Sequence, residues 1–304
     1  MRLGFTSDDR DWIGYGRAGF DPRWPNDAHL AVQFVINYEE GGERNILDGD
    51  EASEARLSEI IGAEPQQGQR NRSVESLFEY GARAGFWRLW RIFRGAGVPV
   101  TVFGVTEALR RNPDAVQAML EADWEIACHG LRWLPYRDVP EEIEMAYMDE
   151  AIRLHTRITG GRPLGWYTGA QSERTTNLVI REGGFLYSSD SYADDLPYWV
   201  TRDSSRHLVV PYAFDTNDVK FVSPQGFNSG DQFFTYLRDT FDFLYAEGKA
   251  GAPKMMSVGL HCRIAGRAGR AAALSRFLNH LREHQRVWIT RRIDIARHWH
   301  DVHA

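Results

Sequence analysis

The sequence predicts a single α/β domain whose expected architecture is a distorted (β/α) barrel. Three observations lead to this prediction. About eight short apolar runs alternate with amphipathic helical stretches, as in a mainly parallel sheet covered by helices. The length of 304 residues suits one such barrel. Apolar residues at 43% and charged residues at 26% are ordinary for a globular chain. An open doubly wound sheet is the alternative arrangement.

The predicted strands are short and mostly apolar. The first, at 30–36, is almost entirely apolar, which is typical of a strand covered on both faces. The strands that follow are predicted at 98–103, 124–129, 164–167, 185–188, 208–212, 255–261 and 287–290.

The helices are predicted from a period of 3.6 residues. Phe86, Leu89, Trp90 and Phe93 recur at i, i+3, i+4 and i+7, so they form one face of a helix that ends near Gly95. Other helices are predicted to begin at Pro113, at Pro140 and after Ser229, and to span 267–284.

Two segments do not follow the alternation. Residues 1–28 and 41–72 are rich in glycine, proline and acids, with little helical or strand signal. Segments this long in a compact domain commonly serve as lids or interface elements. We therefore expect an N-terminal extension and one long loop on a single domain that spans 1–304.

Composition excludes several partners. A net charge of −6 argues against nucleic-acid binding, which needs clustered cations. No apolar run approaches the ~18 residues of a membrane span, so no membrane partner is expected. The N-terminal residues contain early acids and lack the apolar core of a secretory signal, so a cytoplasmic location is expected.

Polar residues that directly follow predicted strands are the candidates for chemistry, because the active sites of such barrels lie beyond the carboxyl ends of the strands. Such residues follow four strands. The segments are Asn37-Tyr38-Glu39-Glu40-Gly41, His129-Gly130-Leu131-Arg132-Trp133, Trp166-Tyr167-Thr168-Gly169 and His261-Cys262-Arg263. We expect two carboxylates, two imidazoles and several aromatic rings to meet at one mouth.

These segments resemble the motifs of the polysaccharide deacetylases. Asn37-Tyr38-Glu39-Glu40-Gly41 stands where that superfamily has Thr-Phe-Asp-Asp-Gly, whose first Asp is the catalytic base and whose second binds metal. The segment from His129 keeps the first metal-binding histidine of their second motif but has Trp133 in place of the second. Leu164-Gly165-Trp166-Tyr167-Thr168-Gly169 lacks the arginine of the third motif, and Leu260-His261-Cys262 replaces Leu-His-Asp.

The lost histidine matters most, because a catalytic Zn²⁺ site generally has three protein ligands. Indole cannot coordinate, so only Glu40 and His129 remain of the family's ligands. The chain resembles instead the metal-independent allantoinase branch of the superfamily, along nearly its whole length. This resemblance implies a barrel of the polysaccharide deacetylase type that opens a cyclic amide, such as allantoin, without metal or other cofactor. It also implies a homo-oligomer, with a tetramer expected.

Three alternatives stay open. Ala170-Gln171 stands where the allantoinases continue with arginine, so the substrate could be a cyclic imide. A metal-dependent polysaccharide deacetylase and a non-catalytic ligand-binding barrel are the other two.

The resemblance implies catalytic roles for four residues. Glu39 matches the base position, and Glu40 would raise its pKa by repulsion if both carboxylates pointed into the mouth. Neighbouring residues of a strand face opposite sides, so either one could be the critical carboxylate. His261 matches the proton donor, and His129 is a second acid or an oxyanion donor.

A further set could contact the substrate. Aromatic rings would wall a small flat heterocycle, Asp195 would accept hydrogen bonds from its N–H groups, and Arg263 would anchor a carbonyl or carboxylate. The aromatic candidates are Trp133, Trp166, Tyr167 and Tyr198. Cys128 and Cys262 are expected to be packed thiols, and the helical His155 and His280 are expected at the surface.

Overall fold

The computed structural model describes residues 10–202 and 204–304. Within this part of the chain, nine strands form one sheet. The strands are β1 (Leu30–Tyr38), β2 (Thr101–Gly104), β3 (Glu125–Cys128), β4 (Gly165–Trp166), β5 (Tyr187–Ser188), β6 (Tyr198–Arg202), β7 (Ser205–Val209), β8 (Lys254–His261) and β9 (Val287–Ile289).

The α-helices cover the outside of the sheet. They are α1 (Arg72–Tyr80), α2 (Phe86–Ala96), α3 (Thr106–Arg111), α4 (Pro113–Glu121), α5 (Glu141–Thr159), α6 (Thr175–Glu182), α7 (Gly230–Lys249), α8 (Ala268–Arg282) and α9 (Arg292–His303). A π-helical turn, Gly81–Gly85, joins α1 to α2. Side chains cap two predicted helix starts: Asn112 accepts from the backbone of Ala115, and Ser229 accepts from that of Gln232.

The sheet has the order β6-β7-β5-β4-β3-β2-β1-β8, and β9 also pairs with β1. Only β6 runs antiparallel to its neighbour. The open side of β8 is bridged by an Asn217–Gly259 pair and by a 3.0 Å hydrogen bond from the backbone N–H of Met255 to the carbonyl of Asp195. The predicted α/β fold, a distorted barrel of a single domain, is confirmed.

The sequence reading missed β6. It placed one strand at 208–212, whereas the structure has a hairpin of β6 and β7, which pair from Tyr198–Val209 to Arg202–Ser205. β6 is half-exposed at the edge of the sheet, and its apolar residues are only Tyr198, Trp199 and Val200, a shorter run than that of a central strand such as β1.

Strand β1 lies at the centre of the core, and all nine of its residues are buried. Phe34 faces the outer helices, where its ring lies 5.2 Å from that of Phe93 on α2. Val35 faces the barrel interior with Phe103 and Tyr167. Because both faces of β1 are covered, the residues that follow it emerge in the middle of the barrel mouth.

The two irregular segments, 1–28 and 41–72, lie in different parts of the structure. In the described part of 1–28, Trp24 is buried against α9, with its ring 5.7 Å from that of Trp299. The 41–72 loop lies beside the carboxyl ends of the strands, where Asp50 forms a two-pronged ion pair with Arg132 at 2.5 and 2.9 Å. Among the described residues, no helix is both long and apolar enough to cross a lipid bilayer.

Candidate active site

A small cavity of about 80 Å³ opens at the carboxyl ends of the strands. Its wall comes from the residues that follow β1, β3, β4 and β8, together with the 41–72 loop and the segment between β7 and α7. The lining residues are Asn37, Glu39, Arg56, Leu57, His129, Trp133, Tyr167, Gly169, Ala170, Phe214, Asn217, Val219 and His261. The parallel register of the sheet explains this meeting, since Asn37 on β1 pairs directly with His261 on β8.

Glu39 is the buried carboxylate of the cavity, with 2% of its surface exposed. Its Oε2 accepts a 2.7 Å hydrogen bond from Nη2 of Arg263, which is itself fully buried. Burial alone would raise the pKa of Glu39, but the charges of Arg263 and His261 outweigh it and hold that pKa well below its usual value. Glu39 is therefore an ionised hydrogen-bond acceptor at neutral pH.

Glu40 lies behind the cavity and does not line it. Its Oε1 accepts a 3.2 Å hydrogen bond from the backbone N–H of Arg263 and lies 3.6 Å from the Arg263 guanidinium. The expectation that Glu40 would tune Glu39 upward is wrong, because the two carboxylates flank one arginine, whose charge keeps the pKa of Glu39 low. Of the two, Glu39 is the one that can touch a bound molecule.

Two glycines of the π-helical turn allow this rear wall to pack closely. A Cβ at Gly81 would lie 2.4 Å from Oε1 of Glu40, and a Cβ at Gly85 would lie 1.9 Å from the carbonyl oxygen of Cys262. A larger residue at Gly81 would displace the side chain of Glu40, and one at Gly85 would displace the backbone at Cys262.

His261 is held by a buried aspartate. Its Nδ1 lies 2.7 Å from Oδ1 of Asp218, and Oδ2 of Asp218 accepts from the backbone N–H groups of His261 and Ala265 at 2.7 and 2.8 Å. Burial would lower the pKa of His261, but the negative charges of Glu39 and Asp218 prevail and raise it to about 9. The residue is an imidazolium at neutral pH, with Nε2 3.5 Å from Glu39.

His129 stands on the other side of the same carboxylate. Its Nε2 lies 3.4 Å from Oε1 of Glu39, while its Nδ1 is buried with no hydrogen-bond partner in the described structure. The ring is held edge-on against Tyr167, with centroids 4.9 Å apart. A buried ring nitrogen without a protein partner can bond to a bound molecule at little cost, because no existing bond is broken.

The 41–72 loop forms part of the cavity wall. The guanidinium of Arg56 lies over the indole of Trp133, 4.7 Å from its centroid, and Arg263 donates a 3.0 Å hydrogen bond to the carbonyl of Leu57. A positive charge over an indole face is attracted by the ring quadrupole. These two contacts hold the loop against Trp133 and against the arginine of the buried ion pair.

The turn after β4 brings Tyr167 and Ala170 to the cavity. The carboxylate of Asp190 accepts from the backbone N–H groups of Thr168 and Gly169, which fixes the turn. Tyr167 stacks on Phe103 with ring centroids 4.5 Å apart. Its flat face is therefore held rigidly beside the imidazole of His129.

The structure keeps three predicted substrate contacts away from the cavity. Trp166 is buried among α5 and α6 residues and packs at a tilt against Phe185, because neighbours on a strand face opposite sides and Tyr167 takes the inner one. Asp195 pairs with Met255, six residues before His261 on β8 and thus roughly 20 Å from the mouth. Tyr198 lies on the edge strand β6 and bonds to Ser191 at 2.6 Å.

Arg263 also departs from its predicted role. It does not line the cavity, because its guanidinium is used on Glu39 and Glu40 and is covered by the ring of Phe78, 4.3 Å away. The arginine positions the carboxylate that a substrate would meet.

Three smaller expectations have clear outcomes. Cys128 and Cys262 are buried free thiols, and burial raises the pKa of Cys128 to about 12. His155 is not at the surface: it is 2% exposed and its two ring nitrogens lie 3.0 and 3.2 Å from backbone carbonyls. Burial lowers the pKa of His155 to about 4, and the ring belongs to the core.

Comparison with known proteins identifies the family. The polysaccharide deacetylase family matches residues 66–186. A Schizosaccharomyces pombe protein with the name "Putative polysaccharide deacetylase" is 41% identical over 297 residues, which cover 92% of this chain and 93% of that protein. The chain belongs to the polysaccharide deacetylase family. It is a hydrolase of this family.

Two solved structures are similar along nearly the entire chain. PuuE allantoinase is 55% identical, with a TM-score of 0.96 and coverage of 98% of this chain and 99% of that one. A Pseudomonas aeruginosa PAO1 protein described as a probable polysaccharide deacetylase is also 55% identical, with a TM-score of 0.95 and coverage of 97% and 98%.

Deacetylases of this family hold a metal ion with an aspartate and two histidines, and the residues of this cavity do not fit such a site. Trp133 offers no ligand atom, Glu40 points behind the cavity, and the cation beside Glu39 is the guanidinium of Arg263. Over residues 10–202 and 204–304, no group of three ligand atoms within 4.8 Å of one another is found in the cavity.

Sequence reasoning missed Asp218 and Arg56. Asp218 follows the apolar run at 208–212 by a few residues, within Asp215-Thr216-Asn217-Asp218, so the search for polar residues after strands could have included it. Arg56 lies in a loop with many charged residues, and nothing in the local pattern separates it from them.

Proposed function

We propose that the protein opens the ring of a small cyclic amide by hydrolysis without a metal ion, and that allantoin is the first substrate to test. The observation that carries this proposal is the pairing of an ionised Glu39, neutralised by Arg263, with a protonated His261 in one small cavity. Hydrolysis of an amide needs a proton acceptor for the water and a proton donor for the leaving nitrogen. These two groups supply both.

In this mechanism, Glu39 takes a proton from a water molecule as the water oxygen bonds to the ring carbonyl carbon. The carbonyl oxygen becomes an oxyanion, for which Nδ1 of His129, the ring nitrogen without a protein partner, is the candidate donor when it carries a proton. The C–N bond then breaks, and Nε2 of His261 gives its proton to the departing nitrogen. The low pKa of Glu39 makes it a weak base, so the orientation of the water contributes more than basicity does.

The pair can return to its starting state within the site. After ring opening, the carboxyl of Glu39 carries the proton of the water and His261 is neutral. Their reacting atoms, Oε1 and Nε2, lie 3.5 Å apart, so a small movement returns the proton to His261. Asp218 stabilises the imidazolium that this transfer regenerates.

The size of the cavity favours a small ring. A volume of about 80 Å³ holds on the order of five to eight water-sized groups, which suits a bare five-membered ring and is too small for several sugar units. Allantoin carries a ureido side chain in addition to its ring, and we expect that side chain to extend toward the opening of the cavity. The 55% identity to PuuE allantoinase supports allantoin as the first candidate.

Two alternatives have specific support. Ala170 lines the cavity, and the amide of Gln171 is bound to the carbonyl of Asp190 at 2.9 Å, so neither supplies the arginine of the allantoinase motif. This difference favours a cyclic imide such as succinimide. The polysaccharide deacetylase names of two close relatives favour release of acetate from an amino sugar.

One assay separates these functions. The protein is treated exhaustively with a chelator and then given allantoin, hydantoin, succinimide or a chito-oligosaccharide. We expect the protein to open the ring of at least one cyclic substrate at a rate that the chelator does not change. Glu39→Gln should abolish this activity. Glu40→Gln, which leaves the carboxylate of Glu39 in the cavity, is the control and should retain it. Acetate release that requires added Zn²⁺ would contradict the proposal.

We also propose a location, an oligomeric state and a class of partner. The resemblance to the allantoinases supports a cytoplasmic homotetramer that acts on a free small molecule and binds neither nucleic acid nor membrane. Light scattering on the full chain after gel filtration tests the tetramer, and a monomer at micromolar concentration would exclude it.

A further inference from the structure

Three potential metal ligands meet on the outer helices, far from the cavity in the fold. Asp242 lies on α7, while His280 lies on α8 and His284 follows the end of α8. Within the described chain this is the one group of three His, Cys, Asp or Glu side chains whose ligand atoms lie within 4.8 Å of one another. We propose that Asp242, His280 and His284 form a binding site for a divalent transition-metal ion, Zn²⁺ in particular.

The spacing of the two histidines supports the site. His280 lies in the last turn of α8 and His284 lies just after the helix ends, with the two ring centroids 4.8 Å apart. Nε2 of His280 is 2.7 Å from Oδ1 of Asp242, and Nε2 of His284 is 4.0 Å from the same oxygen. Two imidazoles and one carboxylate are common protein ligands of Zn²⁺, with water in the fourth position.

The tautomer of His284 is already suited to a metal. Its Nδ1 lies 3.0 Å from the backbone carbonyl of His280, and a carbonyl can only accept, so Nδ1 carries the proton. Nε2 is thereby left with its lone pair and faces the other two ligands. Metal-binding histidines typically donate their second ring nitrogen to such a carbonyl.

Aromatic rings restrict both imidazoles. The ring of Phe241 lies 5.6 Å from that of His280 and 4.9 Å from that of His284, and Tyr245 lies 5.1 Å from His284. Asp242 is about half exposed and free to adjust. Tetrahedral Zn²⁺ needs its ligand atoms about 3.4 Å apart, so a movement of the carboxylate by roughly 0.7 Å evens the distances of 2.7 and 4.0 Å.

Metal bound here would connect α7 to α8 and leave the cavity as it is. The proposal does not depend on the substrate or on the ring-opening mechanism. It also means that zinc found in the purified protein would belong to this outer site, so zinc content alone says nothing of the catalytic residues.

The test is calorimetric titration of the chelator-treated full chain with ZnCl₂, alongside the absorption spectrum with Co²⁺. We expect one strong site per chain, a tetrahedral Co²⁺ spectrum, and a rise in Tm when Zn²⁺ is added. His284→Ala should weaken Zn²⁺ binding at least tenfold and abolish the rise in Tm, since it removes a ligand and leaves the His280–Asp242 hydrogen bond. Asp242→Asn tests the carboxylate in the same way.

His29→Ala is the matched control, because His29 also packs against Tyr245, at 5.4 Å, and is not one of the three ligands. Its Zn²⁺ binding should equal that of the wild type. Equal weakening in the control, or wild-type binding in His284→Ala, would overturn the proposal. So would loss of the strong site in His129→Ala, since that would place the metal in the barrel mouth.

Discussion

The replacement of Asp218 by Asn tests the role of His261 most directly. Asp218 is fully buried, and its two oxygens bind the imidazole and two backbone N–H groups. In the variant, the amide oxygen can keep the backbone N–H groups, which turns the NH₂ group toward Nδ1 of His261. Nδ1 then accepts instead of donating, so the neutral ring holds its only proton on Nε2 and cannot release it.

The size of the effect follows from the pKa of His261. With a pKa of about 9, about nine-tenths of His261 is protonated at pH 8. Without the charge of Asp218, Glu39 alone opposes the effect of burial, so the pKa of His261 should fall. A fall to the ordinary histidine value of about 6.5 would leave about 3% of His261 protonated at pH 8. We therefore expect kcat/KM for the ring substrate to fall by up to about 30-fold at pH 8 and far less at pH 6.

The assay is the pH profile of kcat/KM from pH 5 to 10. In the wild type the basic limb should lie near pH 9, because the raised pKa keeps the proton donor charged up to that pH. In Asp218→Asn the limb should move below pH 7. Asp215→Asn, a change at an exposed acid three residues away, is the control and should keep the wild-type profile. A basic limb at the same pH in Asp218→Asn and wild type would refute the assignment of His261 as the donor.

Further variants and reagents test other parts of the site. Arg263→Met should destabilise the fold by about 3–5 kcal/mol at pH 7, since it leaves buried carboxylates without a counter-charge. This loss of stability should be smaller at pH 4. Arg263 lowers the pKa of Glu39, and the stability gained in this way is present above the ordinary pKa of a glutamate and is lost as the pH falls below it. Denaturant unfolding at pH 7 and pH 4 measures the difference, and an equal loss at both pH values would contradict the prediction. Arg56→Ala should raise KM about 5- to 30-fold with little change in kcat, because it removes part of the cavity wall and the cation–π contact that holds it against Trp133. An unchanged KM would exclude Arg56 from substrate binding. Iodoacetamide at pH 8 should leave activity unchanged, because Cys128 and Cys262 are buried and protonated, whereas loss of activity with one thiol labelled would contradict this.

The central strands were predictable because a strand that is buried on both faces appears in the sequence as a continuous run of apolar residues. The run at 30–36 lies within β1, and 255–261 lies within β8, so the polar residues after them were found at the mouth. The short strand β4 lies within the predicted 164–167, whereas the edge strand β6, with an apolar run of only three residues, was not recognised. Tyr198 was predicted to contact the substrate, although it belongs to a hairpin at the sheet edge.

The site was partly predictable for a similar reason. Position after a strand brings Glu39, His129 and His261 together, but it does not say which partner each side chain chooses. Arg263 looked like a substrate anchor because its contact with Glu39, 224 positions away, is not visible in the sequence. The direction of the pKa of Glu39 follows from that contact, so it could not be read from the neighbouring Glu40.

The glycine-lined rear wall has a consequence for attempts to change what the enzyme accepts. Any larger residue at Gly81 or Gly85 would push on Glu40 or on the chain beside Cys262, and thereby disturb the arginine between the carboxylates. Randomised libraries should therefore leave these two positions as glycine. Diversity is better introduced at Arg56, Ala170 and Phe214, which border the cavity without supporting the ion pair.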